Sequence, residues 1–153
     1  MHTDIALGLD PGRDKTGFAF ADEGGSLILS GIFGTDELDK FFEDTSAFTL
    51  EGKAESNMFS RVRVIFIGDG THSKAFTERV RSMKPGIDIV SVDERNTTLE
   101  ARSLYWKLHR PSFWMRLIPE GLRVPARVLD DLAAWSIALR GLKKYRDISR
   151  NKL

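Results

Sequence analysis

Near its start the chain reads Ile5-Ala6-Leu7-Gly8-Leu9-Asp10-Pro11-Gly12, an apolar run that ends in an acid and a Pro-Gly turn. A second apolar run, Gly17 to Ala21, follows after four polar residues. Short apolar runs bounded by Gly, Pro or Asp are typical of buried strands. A buried strand that ends in an acid presents its carboxylate at the mouth of a sheet, where a metal or a phosphate can reach it. Asp10 is therefore the first candidate catalytic residue.

Five short apolar runs predict the strands of one sheet. They lie near residues 5–9, 17–21, 27–33, 62–67 and 87–92. Only a few residues separate the first three runs, which excludes a helical crossover and predicts an antiparallel meander. Phe76, Val80 and Met83 recur at helical spacing between the last two runs, so a helix over 71–83 should join two parallel strands. We therefore expect an α/β fold with a five-stranded mixed sheet flanked by helices.

Three more helices are indicated by capping signals and apolar spacing. One covers the segment after Thr35. The stretch Thr97-Thr98-Leu99-Glu100 fits a capping box, which predicts a helix that begins close to residue 98 and runs to about 108. The last, over about 127–146, is apolar on more than one side and should pack deeply against the sheet. Residues 44–60 are polar and predict irregular structure.

The length of 153 residues is that of one ordinary domain, in which roughly two thirds of the unfolded surface can be buried. The chain has no cysteine and no apolar stretch long enough to span a membrane, and residues 1–4 lack the build of a secretion signal. We therefore expect a single soluble, cytoplasmic domain over residues 1–153, with no membrane partner.

The charge is distributed unevenly along the chain, although the net charge is only +1. Residues 1–100 hold 11 Lys and Arg against 18 Asp and Glu, whereas residues 101–153 hold 12 against 4. The basic part can attract a polyanion, and the acidic part contains the candidate catalytic carboxylates. The alternative is that the basic residues only solvate the C-terminal helices.

Acids follow three of the predicted strands: Asp10 the first, Asp69 the fourth and Asp93-Glu94 the fifth. If these strands are parallel neighbours, their ends share the edge of the sheet where ligands bind in open α/β folds. Asp130-Asp131, in the last helix, can complete the cluster. Because clustered carboxylates repel one another, a hard cation such as Mg²⁺ or Mn²⁺ is implied, and two such ions can clamp a phosphodiester during hydrolysis.

Three motifs in this order resemble a known family. The stretch Ala6 to Gly12, with Lys15 to Ala19 after it, is similar to the opening of the RuvC-like branch of the ribonuclease H superfamily. The stretch Asp93-Glu94-Arg95-Asn96-Thr97-Thr98-Leu99-Glu100-Ala101 resembles the Asp-Glu-Arg-x-Thr-Thr-x-Glu-Ala signature of the YqgF family, which comprises nucleases of pre-16S rRNA and Holliday junction resolvase-like proteins. Leu129 to Ala134 resembles its third motif. The resemblance implies a ribonuclease H-like fold.

Carried over residue by residue, the resemblance implies that Asp10, Glu94 and Asp130 are catalytic acids that bind the metal. Asp131, Asp69 and Asp93 are possible additional acids. Adjacent helical residues point about 100° apart, so Asp130 and Asp131 cannot readily serve one ion, and family spacing favours Asp130. The alternative for Asp131 is an acid favoured by the helix dipole, and the alternative for Asp69 is a residue that shapes a turn between two glycines.

Several cations lie within or near these motifs, and a segment over about 110–127 is longer than the family's usual connection. In this insertion aromatic residues such as Phe113 and Trp114 alternate with cations, which suits stacking on unpaired bases. The alternative is a short amphipathic helix that covers the core or a subunit interface. The candidate nucleic-acid contacts are Arg13, Lys15, Arg95, Arg102, Lys107, Arg110 and Arg116.

The expected activity is that of a metal-dependent endonuclease, a hydrolase that cuts phosphodiester bonds in structured nucleic acid. The resemblance implies processing of pre-16S rRNA, and thus ribosome biogenesis. One alternative is a Holliday junction resolvase acting on branched DNA. Another is a catalytically inactive nucleic-acid-binding domain with the same fold. A resolvase requires two active sites in a symmetric dimer, so both a monomer and a homodimer stay open.

Overall fold

One six-stranded mixed sheet forms the centre of the molecule in the computed structural model, which describes residues 4–151 apart from the side chain of Ser149. The strand order is β4-β3-β2-β1-β5-β6. Strands β1 to β4 pair antiparallel with one another, whereas β5 pairs parallel with both β1 and β6. The strands are β1 Ile5–Pro11, β2 Lys15–Asp22, β3 Leu27–Gly34, β4 Thr49–Gly52, β5 Val62–Gly68 and β6 Asp88–Val92.

Six α-helices connect and cover the strands, and short 3₁₀ turns lie at 35–37, 46–48 and 120–122. None of the helices in residues 4–151 is both long and apolar enough to cross a membrane. The helices are α1 Leu38–Glu43, α2 Met58–Arg61, α3 Ser73–Met83, α4 Thr97–Leu108, α5 Phe113–Arg116 and α6 Asp130–Asn151.

The alternating side chains of the strands supply two apolar cores, one on each face of the sheet. On one face, phenylalanines of β2, β3 and α1 pack together, and the rings of Phe33 and Phe41 stack at 4.4 Å. On the other face, α4 and α6 pack on small residues of the central strands, such as Ala6 and Ala19. This second layer contains the candidate acids of α6.

Two glycines allow α6 to lie directly on the sheet. A Cβ atom at Gly17 of β2 would lie 1.9 Å from the carbonyl oxygen of Asp130, and one at Gly8 of β1 would lie 2.3 Å from that of Ala134. Both separations are far below van der Waals contact, so any side chain would force the helix away. The glycines therefore set the height of the first turn of α6 above β1 and β2.

The predicted meander and the parallel pair joined by a helix are confirmed, but the sheet has six strands instead of five. Strand β4 lies in the segment that was expected to be irregular, and α2 lies there as well. The strand has four residues, exposes Leu50, and pairs only with β3. A short edge strand is held mainly by backbone hydrogen bonds, so it needs no apolar run in the sequence.

The capping box predicted at Thr97 is wrong, although α4 begins there. The N-cap is Asn96 in a left-handed conformation, with φ of 65°, and no side chain caps the helix. The Thr97 hydroxyl donates instead to the carbonyl of Glu94 at 2.9 Å, and Glu100 pairs with Arg140 of α6. Glu100 is therefore used for tertiary packing. Helix α6 begins at residue 130, three residues later than expected.

The insertion over 110–127 contains only the four-residue helix α5 and one 3₁₀ turn. The alternative in which its apolar side chains cover the core is wrong for Phe113, Trp114 and Leu117, which are 65%, 75% and 66% exposed. Arg123 holds the segment together by donating to the carbonyls of Met115 and Ile118. The aromatic side chains of the insertion are thus presented to solvent.

Candidate active site

Two acids lie close together near the carboxyl ends of β1 and β6, and a third, at the start of α6, acts on one of them through its charge. Asp10 lies near the end of β1, opposite Gly17 of β2, and Glu94 follows β6 by two residues. Burial, the charges of Glu94 and Asp130, and a hydrogen bond with Glu94 raise the pKa of Asp10 to about 7. A carboxyl group with such a pKa keeps its proton at pH values where carboxyl groups are usually ionised, unless a bound cation takes the place of the proton. The sequence predicted this grouping from the strand ends.

The carboxylate of Glu94 lies in a space left by two glycines. A Cβ atom at Gly70 would lie 2.1 Å from Oε1 of Glu94, and one at Gly68 would lie 2.6 Å from Oε2. Oε2 is buried and accepts no hydrogen bond from a donor in residues 4–151. With Asp10 and Glu94 both ionised, neither can donate to the other. A proton on Asp10 or a bound cation can satisfy this oxygen.

Asp130 is the first residue of α6, and it is partly buried. Burial and the neighbouring charge of Asp131 raise its pKa, while the charge of Lys15 on β2 acts in the opposite direction. Asp130 therefore interacts electrostatically with a cation of β2. Its charge reaches Asp10, which links the start of α6 to the end of β1.

Asp131 points away from this group and is fully buried. It accepts a hydrogen bond of 2.6 Å from the Ser30 hydroxyl of β3 and bonds of 2.7 and 3.2 Å from Arg127. Arg127 also donates to Glu51 of β4 at 2.7 Å, and Glu51 contacts His109. We name these five residues the Arg127 network.

The charges of the Arg127 network compensate one another. Burial alone would raise the pKa of Glu51, but hydrogen bonds from Arg127 and His109 outweigh it and lower the pKa. Asp131 is therefore not an additional acid of the site. The alternative in which the helix dipole favours an acid here does not by itself explain the position of Asp131, because Asp131 joins α6 to the sheet through Ser30 and Arg127.

Asp69 and Asp93, the other possible additional acids, have local partners. The carboxylate of Asp69 accepts from the backbone N–H of Glu94 at 3.2 Å, which supports the role of Asp69 in shaping the turn that carries Glu94. Asp93 is exposed and accepts from the guanidinium of Arg95 at 2.8 to 3.2 Å. Hydrogen bonds from Arg95 lower the pKa of Asp93 to about 2. In this arrangement Arg95 pairs with Asp93 while its side chain stays 86% exposed.

The remaining candidate cations fall into two groups. Arg102 of α4 lines a cavity of about 340 Å³ together with Asp10, Asp130 and the segment 124–129. Lys15 is exposed beside Asp130. The second group is exposed on the surface outside the cavity and comprises Arg13, Lys107, Arg110 and Arg116.

The donor chemistry of the site suits a hard cation, although the ligand set is not complete in this arrangement. No three acidic or histidine side chains in the described part of the chain are close enough to hold an ion. Asp10 and Glu94 nevertheless offer carboxylate oxygens near one another, and one Glu94 oxygen is buried without a donor in residues 4–151. Carboxylate oxygens are the ligands that Mg²⁺ and Mn²⁺ prefer. The residues therefore fit such an ion if Asp130 completes the set.

Sequence reasoning missed the residues that support the acids. Arg127 and Asp131 stand four positions apart, the spacing of a helical ion pair, and this signal was available. The alternation Gly68-Asp69-Gly70 also signals that another group approaches the backbone closely. Glu51 and Ser30 carried no such signal, because their partners lie 76 and 101 residues away in the chain.

Comparison with known proteins gives a fold and no family. No family model and no curated protein sequence matches the chain. RuvC of T. thermophilus, solved in complex with a Holliday junction substrate, is 13% identical and has a TM-score of 0.51. The likeness covers 95% of this chain and 96% of RuvC. The chain therefore has a RuvC-like α/β fold over nearly its whole length.

About two thirds of the chain also matches solved structures of ROK family proteins, at low scores. A glucokinase from Streptomyces griseus solved with glucose and AMPPNP is 17% identical over 64% of this chain, with a TM-score of 0.39. A transcriptional regulator, a homolog of the E. coli MLC protein, is 14% identical over 66% of this chain, with a TM-score of 0.41. This chain spans only 36% and 30% of those two proteins. Such low scores indicate nothing about shared activity.

Proposed function

We propose that the protein is a divalent-metal-dependent endonuclease that hydrolyses phosphodiester bonds in structured nucleic acid. The observation that carries this proposal is the electrostatic interaction between the largely buried Asp10 and Glu94, with a buried Glu94 oxygen that accepts no hydrogen bond from residues 4–151. Two acids held together in this way are electrostatically unfavourable without a proton or a cation. The RuvC-like fold supports the proposal, because RuvC carries a nucleic acid in its complex.

Asp10 and Glu94 would hold one ion, with Asp130 completing the site or holding a second. A bound Mg²⁺ or Mn²⁺ supplies an activated water and neutralises the charge that develops on the phosphate. To hold the ion, Asp10 would release to solvent the proton that its raised pKa otherwise retains. Asp69 and Thr97 hold the backbone that carries Glu94, so the carboxylate is fixed before substrate binds. Lys15, near Asp130, and Arg102, in the cavity wall, would contact phosphates beside the cut.

Two substrate classes follow from different observations. The motifs over 93–101 and 129–134 resemble the YqgF family, and this resemblance implies processing of an rRNA precursor. The fold is similar to that of RuvC, whose complex contains a Holliday junction, and this likeness favours branched DNA. Junction resolution requires two active sites at a fixed separation, so the protein would act as a symmetric dimer on that substrate.

The test is a cleavage assay with a labelled rRNA precursor fragment and a labelled four-way DNA junction, each with Mg²⁺, Mn²⁺ or EDTA. The proteins are the wild type and the variants Asp10→Asn, Glu94→Gln and Asp130→Asn. Asp14→Asn is the matched control, because Asp14 is an exposed acid on the same hairpin as Asp10. If the three acids act as one unit, each single substitution should abolish most of the cleavage rate, and the effects of the substitutions should not add.

We expect metal-dependent cleavage by the wild type and by Asp14→Asn, and none by the three site variants. Equal cleavage by all the proteins would exclude the proposed site. If wild type binds these substrates without cutting them under any metal condition, the catalytically inactive binding domain is the better description. The oligomeric state, measured by sedimentation with and without the junction, separates the two substrate classes.

A further inference from the structure

A half-open cavity of about 340 Å³ begins at the candidate acids and extends between α4 and the segment 124–129. Its size lies within the range of small-molecule sites. Asp10 and Asp130 form one end of the cavity, and apolar side chains form much of the rest. A phosphate alone needs no apolar wall. The cavity therefore suits a ligand that joins an anionic group to a flat apolar one.

Two apolar side chains of the cavity wall are exposed, so packing in the core does not account for them. Val124 and Val128 are 78% and 54% exposed, and both line the cavity. Exposed apolar residues that cluster at the mouth of a cavity are typical of binding sites. Pro125 and Leu129 continue the same wall. This wall offers van der Waals contact to a planar group without specifying its hydrogen-bonding edge.

Arg102 provides the cation of the cavity. It is partly buried, and within residues 4–151 it makes no hydrogen bond or ion pair with another side chain. Arg127, by contrast, also borders the cavity but is committed to Glu51 and Asp131. A guanidinium without a protein partner beside an apolar wall is suited to a phosphate or to the face of a base.

We propose that this cavity binds the base of an unpaired nucleotide that adjoins the phosphate being cut, with Arg102 on a neighbouring phosphate. The inference rests on the proposed function, because the acids place the phosphate at the end of the cavity. The nucleoside attached to that phosphate must then lie next to Asp10 and Asp130. The apolar wall is the protein surface beside these two acids. A base in a continuous duplex is stacked and paired, and it must leave the helix to enter such a site.

The substrate class is thus a strand with unpaired nucleotides at the cut, such as a single-stranded tail, a flap or a branch point. The test measures binding alone, in the Asp10→Asn background with Mg²⁺, by fluorescence anisotropy. The ligands are a single strand of roughly 16 nucleotides, the same strand in a duplex, and a strand of equal length with abasic residues throughout. DNA and RNA versions of the single strand show which of the two nucleic acids supplies the base.

The wall variant is Val124→Ser/Val128→Ser, and its matched control is Leu117→Ser/Leu122→Ser. Leu117 and Leu122 are 66% and 71% exposed but do not line the cavity. Because all four positions are exposed, neither variant removes core packing. The double-mutant cycle between the wall and the bases isolates their contact from the general attraction of the basic surface.

We expect the single strand to bind at least about tenfold more tightly than the duplex. The wall variant should lose about tenfold in affinity for the strand with bases and none for the abasic strand. The control variant should bind both strands like the parent protein. Equal losses on the two strands, or duplex binding as tight as that of the single strand, would overturn the inference.

The two proposals fail separately. Coupling between the wall and the bases without metal-dependent cleavage by wild type would retain the nucleotide site and remove the proposed catalysis. Cleavage without coupling would retain the catalysis and overturn the nucleotide site. The Arg102→Gln variant provides a second measurement. Because Arg102 contacts phosphate in the proposed site, this variant should lose affinity for the single strand with bases and for the abasic strand alike.

Discussion

The guanidinium of Arg127 donates to both carboxylate oxygens of Asp131, at 2.7 and 3.2 Å, and the pair is closed on the other side by the Ser30 hydroxyl. Asp131 has no exposed surface, whereas its neighbour Asp130 is partly exposed at the candidate site. Two adjacent acids of one helix thus have different surroundings. One joins the helix to the sheet, and the other lies beside the acids that we propose to bind metal.

Replacing Asp131 should destabilise the protein much more than replacing Asp130. In Asp131→Asn the partly buried guanidinium of Arg127 keeps Glu51 but loses its fully buried carboxylate partner, and breaking such a pair costs on the order of 3 kcal/mol. Asp130→Asn removes a carboxylate whose pKa is raised in the folded state, so it should leave the free energy of unfolding unchanged or larger at neutral pH. Urea denaturation of both variants in EDTA gives the comparison. Equal destabilisation of the two would contradict the assignment of different roles.

The stability of the metal-free protein should fall as pH rises from about 4 to 7. The pKa of Asp10 is raised to about 7 in the folded state, so the folded protein binds a proton that the unfolded chain has already released. This contribution is fully present below the unfolded pKa and is lost as pH passes through the folded one.

The variant Asp10→Asn should not show this pH dependence. It should therefore exceed wild type in stability above pH 7, by on the order of 2 kcal/mol, and equal it near pH 4. Melting temperatures of both proteins in EDTA across this range provide the measurement. Added Mn²⁺ should raise the melting temperature of wild type and not that of Asp10→Asn, because only a ligand that binds the folded state stabilises it. A parallel pH profile for the two proteins would count against the burial of Asp10 beside Glu94.

The variant Gly70→Ala should weaken metal binding and activity without unfolding the protein. Its Cβ atom would lie 2.1 Å from Oε1 of Glu94, so the carboxylate must move. Gly121→Ala is the control, because nothing lies within 4 Å of the Cβ position there. Calorimetric titration with Mn²⁺ and the cleavage assay should show roughly a tenfold or larger loss for Gly70→Ala. Unchanged affinity would mean that Glu94 does not bind the ion.

The double variant Phe113→Ser/Trp114→Ser should leave the free energy of unfolding within about 0.5 kcal/mol of wild type. Both side chains are more than half exposed, and their contact at 5.5 Å is with each other. Chemical denaturation tests this expectation. A loss of several kcal/mol would restore the interpretation that the insertion covers the core. Sedimentation of the same variant shows whether these rings lie in an interface between two copies of the chain.

The pattern of apolar runs predicted five strands of the sheet and the direction in which they pair, because those strands are buried and the connections are either very short or helical. It could not predict β4, whose Thr-Leu-Glu-Gly sequence is exposed at alternate positions. Strand β4 forms because the unpaired backbone groups of β3 hydrogen-bond to it, and β3 offers these groups only once the rest of the sheet has formed.

The grouping of Asp10 and Glu94 was predictable, since acids at the ends of parallel strands share one edge. The separation of Asp130 from Asp131 was predictable in direction, from the angle between adjacent helical residues. The burial of Asp131 was not, because it depends on Ser30 and on Arg127, an arginine outside the helix. Likewise Glu100 fitted a helix cap by spacing, but Arg140 provides a stronger partner in the tertiary structure.

Strand β4 lies at one edge of the sheet and β6 at the other, so Glu51 and Glu94 belong to opposite borders of the molecule. Glu51 nevertheless holds Arg127, which holds Asp131, the residue next to Asp130. If Asp130 binds the metal as we propose, a substitution at Glu51 would release Arg127 and Asp131 and so change the position of the helix turn that carries Asp130. Residues 49–52 therefore contribute, through Glu51, a tertiary contact that reaches the start of α6.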